Sequence, residues 1–293
     1  MTGTPVLEAL PQATTAPAAT VRAPRTLRRR PGLRALTVLP WLVVAAAVVM
    51  ALFPGLFAAY DPISGDAAAA LSAPSGEHWF GTDATGRDVF SRVAYGAIHS
   101  LSAALIAVSV GLALGTTIGV TAGSVGGAVE DILMRIVDVL LAIPTLLLSL
   151  SVIILLGFGT TQAAVAVGAA SVAAFGRLAR SEVVRVRQSD FVEAAFGSGG
   201  RPVAVIVRHV LPNSLTAVLA LAALHFGTAI LAIATLGFLG YGAPPPTPEW
   251  GLMIAEGRNY VATAWWLTTL PGLVVVAVVL AANRISVTIG KPS

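Results

Sequence analysis

Residues 182–213 read EVVRVRQSDFVEAAFGSGGRPVAVIVRHVLPN. This is the longest polar interval between the late hydrophobic segments, and the sequence on either side of it reads as bilayer. Arg177, Arg180, Arg185, Arg187, Arg201 and Arg208 lie within it or just before it. Asp190, with Glu193 three residues on, reads as a helix N-cap and its reciprocal partner. Phe191, Ala194, Ala195 and Phe196 give that helix a partly apolar surface. Gly199-Gly200 ends it, because glycine accepts the left-handed geometry just past a helix C-terminus. Pro202 suits the first turn of a second short helix through Val203, Ile206, Val207 and Val210. Pro212 is expected to break the chain before the next hydrophobic segment. Two short helices at an angle can lie on lipid headgroups as a connector or stand out as a docking knob, and these residues alone allow both.

The remainder of the chain sets the solvent. Of 293 residues 56% are hydrophobic and 11% charged, against about 25% charged in soluble domains. Mean hydropathy is +0.84. The net charge of +4 comes from arginines beside hydrophobic runs, a placement that argues against nucleic acid. The absence of cysteine excludes disulfides, thiol catalysis and cysteine-held metals.

A spanning helix needs roughly 17–25 residues. Hydrophobic runs of that order occur near 36–59, 98–122, 132–156, 161–179, 214–235 and 264–282. They are too continuous and too rich in Ala and Leu for the alternating strands of a barrel, so an all-α membrane protein with six transmembrane helices is expected. The first run exceeds the roughly 7–15-residue core of a signal peptide and reads as a retained helix. The expected layout is a disordered basic tail (1–35), the first helix (36–59), an extracytoplasmic loop (60–97), a core of five helices (98–288) containing loop 182–213, and a short cytoplasmic end (289–293). With the N-terminus inside, all 18 lysines and arginines except Arg87, Arg92 and Arg258 fall on the inner side. The positive-inside rule then makes both termini and loop 182–213 cytoplasmic.

Several residues stand out against this background. Gly111, Gly115, Gly119 and Gly123 form one helical stripe that lets another helix approach closely, in this chain or another. Asp131 and Asp138 flank Arg135 at helical spacing and read as a structural ion pair, with a proton relay as the functional alternative. Pro144 is expected to kink that helix. His225, in an apolar setting, reads as a hydrogen bond to a neighbouring helix or as a contact to cargo. Gly81-Thr82-Asp83-Ala84-Thr85-Gly86-Arg87-Asp88 sits in the outer loop, where Asp83 and Asp88 read as turn and capping residues rather than an acid/base pair. Trp265 and Trp266 fit an interfacial aromatic belt.

Glu193-Ala194-Ala195, Gly199, His209 and Leu211-Pro212-Asn213 resemble the coupling motif of permease subunits in binding-protein-dependent ABC importers. Histidine at 209 and the run Arg208 to Asn213 resemble the peptide and nickel branch. Gly81, Thr82, Asp83, Gly86, Arg87 and Asp88 resemble that branch's second permease subunit, as do Asp131–Pro144 and Leu236–Gly251. The likeness covers about residues 75–288; Phe196-Gly197-Ser198 departs from it. It implies a type I importer permease fold with a cytoplasmic coupling-helix loop in the inner membrane. It also implies a second homologous permease, two cytoplasmic ATPases docked on the loops, and an extracytoplasmic substrate-binding protein. Glu193 and Gly199 would shape the knob, and ATP and magnesium would be bound by the ATPases. Di- or oligopeptides are the implied cargo, with nickel chelates or glutathione as the alternative.

The residues agree on one negative. A phosphate-binding loop needs Gly-x-x-x-x-Gly-Lys-Ser/Thr; the sole lysine, Lys291, is followed by Pro292, with Ile285 in place of the first glycine. Energy must come from a partner or an ion gradient. A gradient-driven transporter or channel would carry more midplane charge. An intramembrane enzyme lacks a nucleophile–base set, and no catalytic, cofactor or metal residues are expected here.

Overall fold

The computed structural model describes residues 32–289; of the expected disordered basic tail (1–35), residues 1–31 lie outside the described residues and 32–35 begin a helix instead, and the end after 289 also lies outside. The helices are α1 (Gly32–Leu52), α2 (Val89–Val125), α3 (Gly127–Ala142), α4 (Thr145–Leu156), α5 (Thr160–Arg187), α6 (Asp190–Gly197), α7 (Pro202–Val205), α8 (Leu211–Phe238), α9 (Trp250–Gly257) and α10 (Trp266–Ile289). α2 and α5 form the central pair. α8 packs on both, α10 and α1 close one side, and α4 lies on α5.

The four-residue glycine stripe of α2 lies along the α2–α5 seam. A Cβ on Gly111 would come within 2.9 Å of Ser171 Cβ, one on Gly115 within 2.5 Å of Phe175 Cβ, and one on Gly123 within 2.9 Å of Val183 Cγ1. At Gly119 it would meet the Gly176 carbonyl itself, and on the facing helix a Cβ on Gly168 would lie 2.7 Å from Ala107 O. The partner helix is therefore within this chain. Small residues on both sides, including Ala103, Ala104, Ala107, Ala163, Ala164 and Ala166, let the two backbones approach.

The expected all-α multi-pass character is present, but six spans are not all distinct among the described residues. α2, α5, the continuous stretch 202–238 and α10 are long and apolar enough to cross a membrane. α3 and α4 qualify only as a pair, bent by 99° at Ile143–Pro144. Pro144 thus breaks the helix instead of kinking it, with Ile143 extended before it. Among the described residues that makes four spans, or five with the bent pair; α1 runs over 21 residues, Gly32–Leu52, and is apolar over Val38–Leu52.

The charges of α3 also pair differently from expectation. Asp138 pairs with Arg177 and Glu130 with Arg180, both across to α5. Arg135 makes no ion pair among the described residues, because its neighbours turn toward α5. The His225 ring packs 4.9 Å from the Phe175 ring and makes no hydrogen bond among the described residues, contrary to expectation.

Candidate functional site

Two polar assemblies sit at opposite ends of the bundle. The first is built on Ser189–Asn213 and forms a projecting handle. α5 continues as helix to Arg187, so the handle begins later than the sequence suggested. Its first helix is capped at Ser189, not Asp190. Ser189 has the extended backbone of an N-cap (φ −84°, ψ 146°) and its carbonyl accepts the N–H groups of Val192 and Glu193. Its hydroxyl turns back to donate to Val186 O at 2.5 Å. Asp190 and Glu193 occupy the first turn without capping it, where negative charge suits the helix dipole.

The end of α6 is set by its glycines. Gly199 is left-handed at φ +86°. Its N–H bonds Phe196 O at 3.0 Å, and that of Gly200 bonds Ala195 O at 3.1 Å, the paired pattern of a Schellman closure. A Cβ on Gly200 would lie 2.7 Å from Val205 Cγ2.

Pro212 does not break the chain. Residues 202–238 form one continuous rod. Residues Ile206–Val210 make a π turn in which the Leu211 N–H reaches back to Ile206 O. The widened turn re-registers the ladder just ahead of a residue with no N–H to give. Asn213 Nδ2 donates to His209 O at 2.6 Å on the same turn. The handle is thus rigidly continuous with α8.

Val183 and Val186 of α5, Val192 of α6, Val205 and Val210 form a small buried cluster that seats the handle. Sequence reading missed it, because its members come from four elements. Arg187 ties the handle's root to the end of α2, donating from Nη1 to Gly123 O (2.6 Å) and Ser124 O (2.9 Å). Outward, Phe191 (48%), Phe196 (38%), Val203 (74%) and Val207 (57%) remain exposed. Glu193, Ala194, Gly199, Pro212 and Asn213 are exposed beside them, while Ala195, His209 and Leu211 are half-buried. Apolar tips on a rigid two-helix corner, edged by Glu193, Arg201 and Arg208, make a surface fit to be gripped by another protein.

The opposite end is closed on itself. Asp88 caps α2, with Oδ2 accepting Ser91 N (2.7 Å) and Oδ1 lying 2.9 Å from His78 Nδ1. Asp83 accepts from Thr85 N and Oγ1 (2.8 Å each), Arg87 N (3.1 Å) and Arg87 Nε (2.6 Å). Burial works to raise the Asp83 carboxyl, but these hydrogen bonds from Thr85 and Arg87 outweigh it and hold the group below the usual carboxylate range. Gly86 is left-handed, and a Cβ there would strike the Asp66 carbonyl. Gly81 brings Thr82 in line, so that Thr82 O accepts Trp266 Nε1 at 3.2 Å. Trp266 is therefore buried in this assembly, not part of an aromatic belt; Trp265 is exposed.

Three further residues complete that end. Arg92, 1% exposed, donates to Pro62 O (3.2 Å), Pro246 O (3.4 Å) and Glu256 Oε2 (3.0 Å). Glu249, also 1% exposed, caps α9 by accepting Gly251 N (2.9 Å) and Leu252 N (2.8 Å), and takes Ser100 Oγ at 3.4 Å. Burial pushes the Glu249 carboxyl up, against these same hydrogen bonds. Trp250 donates from Nε1 to Val93 O at 3.0 Å. Only a lone arginine in an apolar helix and a carboxylate before Trp-Gly signalled these roles in the sequence.

Comparisons place this architecture. The family model of the binding-protein-dependent transport system inner membrane component matches residues 115–289. The dipeptide transport system permease protein DppC of Alkalihalophilus pseudofirmus is 39% identical over 250 residues, 85% of this chain and 82% of that protein. The glutathione transport system permease protein GsiD of Shigella flexneri is 42% identical over 243 residues, 83% of this chain and 80% of that protein. Among solved structures, the inward-facing MetNI methionine ABC transporter matches with TM-score 0.53 at 16% identity, over 68% of this chain and 97% of that one. An amino acid ABC transporter matches with TM-score 0.54 at 14% identity, over 68% and 92%. Those two likenesses speak to the fold alone, an all-α, multi-pass membrane fold. By the family model and by its curated relatives together, this chain belongs to the binding-protein-dependent transport system inner membrane components, and is a transport subunit and not an enzyme.

Proposed function

We propose that this chain is one of two related permeases in an ATP-driven importer of peptide-class cargo, and that Glu193–Asn213 is the surface on which a partner ATPase docks. The carrying observation is the handle: exposed Phe191, Phe196, Val203 and Val207 on a buried valine seat, rigidly joined to a membrane-length helix. A soluble motor that gripped such a corner would move α8 with it. In this reading the handle and both termini face the cytoplasm, supported by the distribution of arginines. The opposite, self-closed end faces the extracytoplasmic binding protein.

The cargo is a small peptide. Likeness to a dipeptide permease and to a glutathione permease supports both cargoes and favours compact molecules with free charged termini over long oligopeptides.

The test uses Glu193→Lys and Gly199→Asp in the full transporter. Both positions are exposed, and the left-handed strain of an aspartate at 199 is confined to the handle, so the chain should insert and assemble with its partner permease. ATP-driven uptake of alanyl-alanine or glutathione should fall roughly 30-fold or more, as for a docking hot spot of about 2 kcal/mol. Normal uptake in both variants would refute the docking role.

A further inference from the structure

A groove of about 390 Å³ runs between α3 and α5 near the handle end, within the roughly 300–1,000 Å³ range of small-molecule clefts. Its walls are of opposite sign. Glu130, Asp131 and Asp138 line the α3 side, and Arg177 and Arg180 the α5 side. The two ion pairs across it differ. In Arg180–Glu130 the side chains are 39% and 20% exposed, which suits a latch between the helices. In Arg177–Asp138 they are 58% and 59% exposed. Asp131 has no ion-pair partner among the described residues.

Along α3 these charged residues alternate with exposed apolar ones, Ile132, Ile136 and Val139. Charges in such a setting face protein or water, not lipid. The backbone gives a second, independent sign. Shortly after Asp138 comes Pro144, and there the span breaks through 99°. Non-helical backbone at membrane depth is tolerated only where protein buries it or water bathes it. Ile143 at this break is exposed. The exposed ion pair and the open elbow thus lie in one stretch that this chain leaves uncovered, open to a partner or to water.

We propose that this groove forms part of the cargo path, and that Arg177 and Asp138 exchange their mutual ion pair for the carboxylate and ammonium ends of a zwitterionic peptide. The inference rests on the peptide-cargo reading above. An exposed ion pair contributes little to stability, so opening it costs little. A guanidinium forks onto a carboxylate with two parallel hydrogen bonds, and a carboxylate accepts an ammonium equally well. Dipeptides and glutathione carry both groups.

The chain contains no cysteine, so single replacements report cleanly. Asp138→Cys and Arg177→Cys are introduced separately into the full transporter in proteoliposomes and probed with a membrane-impermeant maleimide, with labelling read on this chain. Both positions should label, and saturating alanyl-alanine during ATP turnover should slow labelling about tenfold. In parallel, Arg177→Gln and Asp138→Asn should each cut alanyl-alanine uptake about tenfold, the loss of one charge-assisted contact, while ATP hydrolysis stimulated by loaded binding protein stays within about twofold. A structural latch would lose both activities together. Labelling unchanged by peptide, no labelling, or unaltered uptake overturns the inference while wild-type import stands. If the wild type imports neither alanyl-alanine nor glutathione, the peptide reading fails and this inference with it.

Discussion

The two polar ends of this molecule spend their charges in opposite ways. At the end formed by the Gly81–Asp88 loop and α9, Asp83, Asp88, Arg92 and Glu249 are buried and each is partnered. Buried charge is tolerable only on those terms. At the handle end, Glu193, Arg201 and Arg208 are exposed beside exposed apolar tips, and the only buried material is a cluster of valines. One end pairs its buried charges within a single chain. The other has a rigid seat and an unfinished surface, the signature of a face that another protein covers.

The most damaging way to probe that contrast is to part the seam that joins the ends. α2 runs from the Asp88 cap to Gly123 under the handle's root. Gly119→Leu would drive a side chain into the α5 backbone. It should destabilise both ends together by about 3 kcal/mol or more, beyond ordinary overpacking, seen as a large drop in melting temperature in detergent. A melting curve unchanged from wild type would mean that the seam does not unite the ends.

Next comes a change confined to the closed end. Glu249→Ala leaves the N–H groups of Gly251 and Leu252 and the Ser100 hydroxyl without their acceptor in a buried site, at a cost of about 3 kcal/mol. Hydrogen exchange should quicken at α9 and the start of α2 while the handle keeps its protection. Equal loosening of the handle would erase the contrast.

The smallest effect is acid sensitivity at the same end. The folded Asp83 carboxyl titrates below its unfolded value, which is about 3.9. Its stabilisation is therefore present above that value and fades as the pH falls through the lower, folded one. Protection of the Thr85 and Arg87 amides should fall in that acid window, and Asp83→Asn should remove the dependence. A wild-type profile as flat with pH as that of Asp83→Asn would show that the carboxylate contributes nothing.

What the sequence disclosed was local chemistry. The four-residue glycine spacing, the Gly199-Gly200 terminator and the short polar side chains before helices are patterns within a few residues. What it concealed was set by distant partners. Asp138 looks toward Arg135, one helical turn away in sequence, yet its partner Arg177 lies on α5, as does Arg180, the partner of Glu130. Pro212 looks like a breaker because a π turn leaves no composition signal. Hydropathy counts apolar residues and not bends, so the run at 132–156 concealed the 99° break between α3 and α4. The valine seat assembles residues from α5 to the π turn that no single period links.

The central claim is that the unfinished end meets a motor. The cysteine-free chain allows Val203→Cys at the handle and Trp79→Cys at the closed end, both exposed positions, to be tested in membranes holding the whole transporter with a short bifunctional cross-linker. The account predicts a cross-link from position 203 to an ATPase subunit and none from position 79. An ATPase cross-link from position 79, or none from position 203, would contradict it.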